Sequence, residues 1–283
     1  MQQKTTVVIS HFNAWEPDQL IHLLDQVASI PAGCPFDVRV VVNRAVTRDL
    51  YLPERHRHIE VAYRENRGYN IGAWDHGWRV GSPAQFYLFL QEECSILRPN
   101  WLGAFVRRLR NPRIGVLGET IAYHNTSWND MLELGDELGS FQIYKNRLTE
   151  WGVPTGPTVS HLRSLVIGTR RDVLERINGF RSMESKEEAI TAEIAITKEV
   201  EAQGLRAEQV ALRPFSYVAH PQWEEDRQVT LSWKWAARRL IGQHLGLASW
   251  HLKHREQYRK RGLRYYSPSP YYDSRATRPD EHS

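Results

Sequence analysis

Cysteine is scarce: Cys34 and Cys94 are the only two in 283 residues. That excludes a disulfide-stapled scaffold and a cysteine-rich zinc module, and it suits a reducing compartment. Long apolar runs are also missing. No stretch of about 18 uninterrupted apolar residues exists, so a transmembrane helix is not expected. The opening run Met-Gln-Gln-Lys-Thr-Thr-Val-Val-Ile-Ser lacks the apolar core of a signal peptide. The expected location is therefore cytoplasmic, with peripheral attachment at the inner face of a membrane as the further option. There is no internal repeat and no low-complexity tract. With 41% hydrophobic and 25% charged residues, a largely disordered chain is excluded. At about 150 residues per domain, the length allows one large domain or two small ones.

The net charge of +4 is unevenly spread. Residues 227–264 hold ten Lys/Arg and a single acid, Glu256, which puts that segment at +9 and the rest of the chain at −5. The segment intermixes its cations with Trp233, Trp235, Leu240, Ile241, Leu245, Leu247, Trp250 and Leu252. Such a composition suits an interfacial helix on anionic lipid. It equally suits a terminal helix that packs on the preceding domain with its cations reaching outward. Nucleic acid is not expected as a partner, because no nucleic-acid motif accompanies the charge. The boundary falls near Asp226, giving a domain over 1–226 and a basic helical extension with a Pro/Tyr-rich tail over 227–283.

Hydrophobic periodicity alternates over the first domain. Short apolar runs at 5–10, 37–42, 59–63, 86–90, 114–117 and 166–169 read as strands of a mostly parallel sheet. Helix-spaced apolar positions fall at 17–29, 71–80, 101–109, 171–177 and 186–203, the last ended by Gly204. Residues 123–160 read as an irregular substrate loop. The fold class is α/β, a mostly parallel sheet flanked by helices. Ligands of such sheets bind beyond the carboxyl ends of the strands. The residues at those ends are Ser10, His11, Phe12 and Asn13, then Asn43, then Gln91, Glu92 and Glu93.

Three stretches, in order, resemble the GT-A (Rossmann-like) glycosyltransferases, in particular the large inverting family that includes bacterial rhamnosyltransferases. They are Val7-Val8-Ile9-Ser10-His11-Phe12-Asn13; Asn66-Arg67-Gly68 with the helix carrying Ala73, Asp75 and Gly77; and the strand 86–90 with Gln91-Glu92-Glu93, Pro99-Asn100-Trp101-Leu102 and Pro112-Arg113-Ile114-Gly115. The resemblance covers about residues 5–220. It implies a nucleotide-diphosphate sugar as donor and a glycan or lipid-linked acceptor, in surface polysaccharide synthesis. Donor contacts would come from Ser10, His11, Phe12, Asn13, Asn43, Asn66, Arg67, Gly68, Asp75, Gln91 and Glu92. Asp75 has a local alternative, pairing with His76.

The resemblance also implies a divalent cation, Mn²⁺ or Mg²⁺, to neutralise the departing diphosphate. Glu93 stands where the family's metal-contacting carboxylate belongs, and Gln91 replaces the first acid of its Asp-x-Asp motif. On an extended strand residues 91 and 93 would share one face and Glu92 would take the other. His220 resembles a further metal ligand, or is an ordinary core or surface histidine. An inverting transfer needs a general base. The family places an acidic pair near the start of a helix that ends in glycine; with Gly204 as that glycine, the resemblance implies Glu193, with Glu188 as rival. Trp128, Trp151 and Trp223 would stack on an acceptor sugar, or belong to the core.

Overall fold

The sheet begins with β1 (Thr5–Phe12), whose residues are buried as far as His11, so both of its faces are covered. The helix α1 (Asp18–Ser29) buries Leu20, Leu23, Leu24 and Val27, one apolar face. The chain is described by a computed structural model over residues 4–123, 126–134, 140–181, 183 and 185–223. Met1–Pro221 forms one compact unit. The basic helical extension expected over 227–283 lies outside the described residues.

Next come β2 (Asp37–Arg44), β3 (Glu60–Glu65), α2 (Tyr69–Arg79) and β4 (Phe86–Gln91), then the short β5 (Ser95–Ile96), α3 (Trp101–Leu109) and β6 (Ile114–Gly118). After β7 (Ile121–Ala122) the chain forms α4 (Trp128–Leu134), α5 (Ser140–Glu150), β8 (His161–Leu162) and β9 (Val166–Arg170). It continues through α6 (Arg171–Arg176), α7 (Lys186–Ala202), β10 (Arg206–Gln209) and β11 (Val218–Ala219).

The seven-stranded sheet has the order β10-β6-β9-β4-β1-β2-β3. All neighbours are parallel except β9, which pairs antiparallel with both β4 and β6. The architecture is thus α/β with a mostly parallel sheet flanked by helices, as the alternating pattern predicts. Every residue of β4 is buried, as befits a central strand covered on both faces. The helix α2 lies close on the sheet at Gly77, where a Cβ would collide with Val8 and Val41. Trp74, one turn earlier, is fully buried and donates its indole N–H to the Leu90 carbonyl at 3.0 Å.

Two expectations change. The stretch 123–160 is not irregular throughout, since it contains α4 and α5. The apolar pair Tyr144 and Leu148, four apart on α5, packs with Ile194 and Ala195 of α7, so the helix owes its stability to tertiary burial more than to a strong periodic pattern. The strand β10 went unanticipated because Arg-Ala-Glu-Gln is polar, as an edge strand permits. Among the described residues no helix is long and apolar enough to cross a membrane.

Candidate functional site

The site grows from the carboxyl end of β4. The strand stops at Gln91, and the Cys94 N–H donates to the Gln91 carbonyl at 3.1 Å, closing a turn over Glu92 and Glu93. The alternation expected of an extended strand therefore does not continue to residue 93. Glu92 is buried and points to β1: its Oε2 lies 2.6 Å from His11 Nδ1, and its Oε1 accepts the Phe12 N–H at 3.0 Å. Burial pushes the Glu92 carboxyl up, and the bonds from His11 and Phe12 oppose that. Two neighbouring parallel strands are thereby tied at their ends by a side-chain pair.

Glu93 is largely buried and faces the other way. His220 Nε2 lies 3.8 Å from Glu93 Oε2, too far for a hydrogen bond. His220 arrives there because β11 pairs antiparallel with β5, Val218 opposite Ile96 and Ala219 opposite Ser95. Glu119, at the end of β6, anchors the approach. Its carboxylate accepts the N–H groups of Ser216, Tyr217 and Val218 at 2.7, 3.1 and 2.9 Å. Burial pushes the Glu119 carboxyl up to about 7 despite those three donors. Sequence reasoning missed Glu119. Its one signal is an acid directly after an apolar strand.

A second cluster surrounds Glu193 on α7. The Ser164 N–H and hydroxyl both donate to Glu193 Oε2, at 2.9 and 2.6 Å, and His161 Nε2 lies 3.2 Å from Oε1. Burial raises this carboxyl, but the His161 and Ser164 bonds outweigh it and hold the group below the ordinary carboxylate range. The two clusters adjoin. Cys94, next to Glu93, donates its thiol to the Leu165 carbonyl at 3.6 Å, and Leu165 follows Ser164. Asn70, in the first turn of α2, donates to the Ser164 carbonyl at 2.9 Å. His161 and Ser164 carried no motif, and Asn70, within the second stretch, was not singled out as a site residue.

The expected donor contacts divide. Ser10 is buried, and its hydroxyl lies 3.4 Å from the Leu90 carbonyl. Phe12 is half-buried and meets Trp15 edge-on. Asn13 is occupied as a clamp: its amide donates to the carbonyls of Val46 and Arg48 and its oxygen accepts from Ala45 and Val46, which pins the loop after β2. The Asn43 amide donates to the Tyr69 carbonyl, and its oxygen accepts from Arg64 at 2.7 Å. Arg64, which the motifs did not single out, also donates to the Arg67 carbonyl at 2.6 Å. Asn66 and Arg67 are exposed, and Gly68 takes φ 74°, a left-handed conformation that glycine adopts freely. Gln91 is buried at the strand end.

Other expected residues are engaged in holding the fold. Asp75 Oδ1 accepts from the Trp78 indole at 3.0 Å and the Phe180 N–H at 2.8 Å, while Arg79 donates to Oδ2 at 2.9 Å. It braces the Asn178-Gly179 turn; its local partners are Trp78 and Arg79 in place of the expected His76. Glu188 forms a capping box with Ser185 at the start of α7, each accepting the other's N–H. Trp128 is buried among Tyr144, Leu148, Val153 and Val159, with its indole N–H on the Thr155 carbonyl at 3.1 Å. The ring is buried, and Lys145 Nζ lies 6.0 Å from its centroid. Trp151 is half-buried against the same cluster. The side chain of Trp223 lies outside the described residues.

A cation site would rest on Glu93 and His220. Two donor atoms each about 2.1 Å from one small cation are at most about 4.2 Å apart, and the observed 3.8 Å meets that bound. A carboxylate with an imidazole suits Mn²⁺ better than Mg²⁺. Among the described residues no group of three His, Cys, Asp or Glu is gathered that could hold a metal ion.

The sheet order, with one antiparallel strand between parallel neighbours, defines an α/β fold with a mostly parallel sheet flanked by helices. No family model matches the chain, and no curated protein does. Among solved structures it is similar to the mannosyltransferase PcManGT from Pyrobaculum calidifontis in complex with GDP-Man and Mn²⁺, at 15% identity and TM-score 0.48, covering 74% of this chain and 55% of that one. It is also similar to S. aureus TarS 1-349, at 16% identity and TM-score 0.45, covering 80% and 63%. The same TarS fragment in complex with UDP-GlcNAc gives 17% identity and TM-score 0.41, covering 69% and 54%. The chain thus spans between about half and two thirds of each of these structures.

Proposed function

We propose that this chain transfers a sugar, with inversion, from a nucleotide-diphosphate donor to a glycan or lipid-linked acceptor of surface polysaccharide synthesis. The observation that carries the reading is the link between two unlike carboxylates through one short chain of residues. Glu93 stands beside His220 at the end of the central strand, and Glu193, joined to it through Cys94, Leu165 and Ser164, is held toward its ionised form. One carboxylate beside an imidazole and another kept in its ionised form are what the two halves of such a transfer require.

In this reading Glu193 removes the proton from the acceptor hydroxyl. The hydroxyl oxygen bonds to the anomeric carbon as the bond to the diphosphate oxygen breaks, and that electron pair leaves with the diphosphate. Glu93 and His220 would hold a divalent cation, which supplies positive charge against the leaving group. The loops around Phe12, Asn43, Arg64 and Arg67 would receive the nucleotide. The basic segment 227–264 would bring the protein to the anionic inner face of a membrane.

The test is release of nucleoside diphosphate from UDP-, GDP- and dTDP-linked sugars with Mn²⁺, for the full chain and for Glu93→Ala and Glu193→Gln. Release that is equal in all three proteins sinks the reading. A second reading, a binding module without turnover, is favoured by Gln91 standing where the family has an acid. Tight calorimetric binding of UDP or dTDP with no release from any donor would select it.

A further inference from the structure

Glu193 is placed by more than its own helix. The short strand β8 lies along α7, where the Leu162 N–H donates to Thr197 Oγ1 at 3.0 Å. Thr197 is four residues after Glu193, on the same helix face. That bond sets β8 in register, so His161 reaches Glu193 one turn back. His161 is itself buried, and its Nδ1 lies 2.8 Å from the Val159 carbonyl. A carbonyl can only accept, so Nδ1 carries a proton, and Nε2 is left to share one with Glu193 Oε1. The ring is therefore fixed at both nitrogens.

The opposite oxygen is fixed from the loop after β8. Ser164 gives Oε2 two donors, and the Ser164 carbonyl is in turn held by Asn70 of α2. The groups facing the carboxylate are thus His161 from β8, Ser164 from the following loop and, behind it, the uncharged Asn70. From α5, Tyr144 and Leu148 pack on the neighbouring residues Ile194 and Ala195. Among these, His161 is the partner able to carry a compensating charge.

We infer that His161 is a positioning residue for the Glu193 carboxylate, aiming one oxygen and supplying its compensating charge, while Ser164 links the same carboxylate to the donor-side helix α2. The inference rests on the proposed role of Glu193 as base. It assigns to two residues outside every recognised motif the task of keeping that base oriented. His161 acts through Glu193, and a substitution there acts on turnover more than on donor binding.

The experiment uses the full chain with ¹³C-labelled glutamate. The Glu193 side-chain carboxyl resonance is assigned by its loss in Glu193→Gln and titrated in wild type, His161→Ala, His161→Gln and Ser164→Ala. The Glu193 midpoint is expected to rise in His161→Ala and, because glutamine keeps a donor but no charge, to rise less in His161→Gln. In diphosphate release from the nucleotide sugar that the donor panel selects, kcat is expected to fall about 10- to 100-fold in His161→Ala, part of the about 10²–10⁴ a general base contributes. KM for the donor stays within about twofold, and His161→Gln recovers part of kcat. An unmoved midpoint in both His161 variants overturns the inference whatever the activities are. Activity untouched by Glu193→Gln overturns the assignment of Glu193 as base while the titration still decides the role of His161. If His161→Ala fails to fold, His161→Gln and Ser164→Ala carry the same readouts.

Discussion

Glu119, buried at the end of β6, accepts the N–H of Val218 at 2.9 Å, and through that bond a core carboxylate fixes the strand that delivers His220. The neighbouring N–H groups of Ser216 and Tyr217 point to the same carboxylate. Its folded value, about 7, is raised from the ordinary glutamate range by burial. The folded protein therefore binds a proton there that the unfolded chain has already released. The contribution of Glu119 to stability is full below about pH 4.5 and is lost as pH rises through about 7. In Glu119→Gln this component of the pH dependence should vanish between pH 4.5 and 7, read from urea midpoints across that window. Glu119→Ala leaves the buried Val218 amide unpaired and should cost about 1–3 kcal/mol, with faster hydrogen exchange at residues 216–218.

His220→Ala tests the cation pair. Loss of a residue that merely orients a metal ligand costs about 10- to 100-fold in affinity, so loss of a ligand should cost at least tenfold. Mn²⁺ titration followed by electron paramagnetic resonance, with UDP present, measures it. Equal affinity in wild type and variant would remove His220 from the site.

Asp75→Asn should lower stability and leave nucleotide affinity unchanged. The carboxylate bonds Trp78, Arg79 and the Phe180 N–H, and charged hydrogen bonds of this kind are worth about 1.5–3 kcal/mol each at most. Partial exposure puts the expected loss nearer the lower end. Thermal denaturation and UDP calorimetry on the same preparation separate the two effects. Weaker UDP binding with unchanged stability would return Asp75 to the donor site.

Trp128→Ala should destabilise by about 3–5 kcal/mol, the usual cost of removing a large buried aromatic. Its ring lies in the cluster that joins α4, α5 and α7. Trp128→Phe keeps most of the volume and should keep most of the stability, and it should leave the KM for a sugar acceptor as in wild type. A raised acceptor KM in a stably folded Trp128→Phe would show that the ring meets substrate.

The α/β alternation was legible because the central strands are apolar on both faces, as in Phe86-Tyr87-Leu88-Phe89-Leu90, while a helix such as α1 carries an apolar stripe at helical spacing, Leu20, Leu23, Leu24 and Val27. The end of α7 was legible in Gly204, which takes φ 73°. The helix α5 was not, because its few buried residues count only once α7 lies against them. Among the site residues, acids at strand ends could be singled out. That Glu92 and Glu93 face opposite ways could be expected too; that Glu92 meets His11 and Phe12 of β1 could not, because it depends on strand register.

What the sequence determined by itself is the layered sheet, its strand ends and the short roster of polar residues that stand there. Periodicity fixes these, since burial of a two-faced strand or a one-faced helix is a local property of the pattern. Which polar residues meet was decided by tertiary structure alone. Glu193 finds His161 and Ser164, 32 and 29 positions away, and Glu119 finds Val218 across 99. Such pairings depend on strand register and helix docking, as do the bonds of Asp75 to Trp78 and Phe180 and the packing of Trp128 against α5.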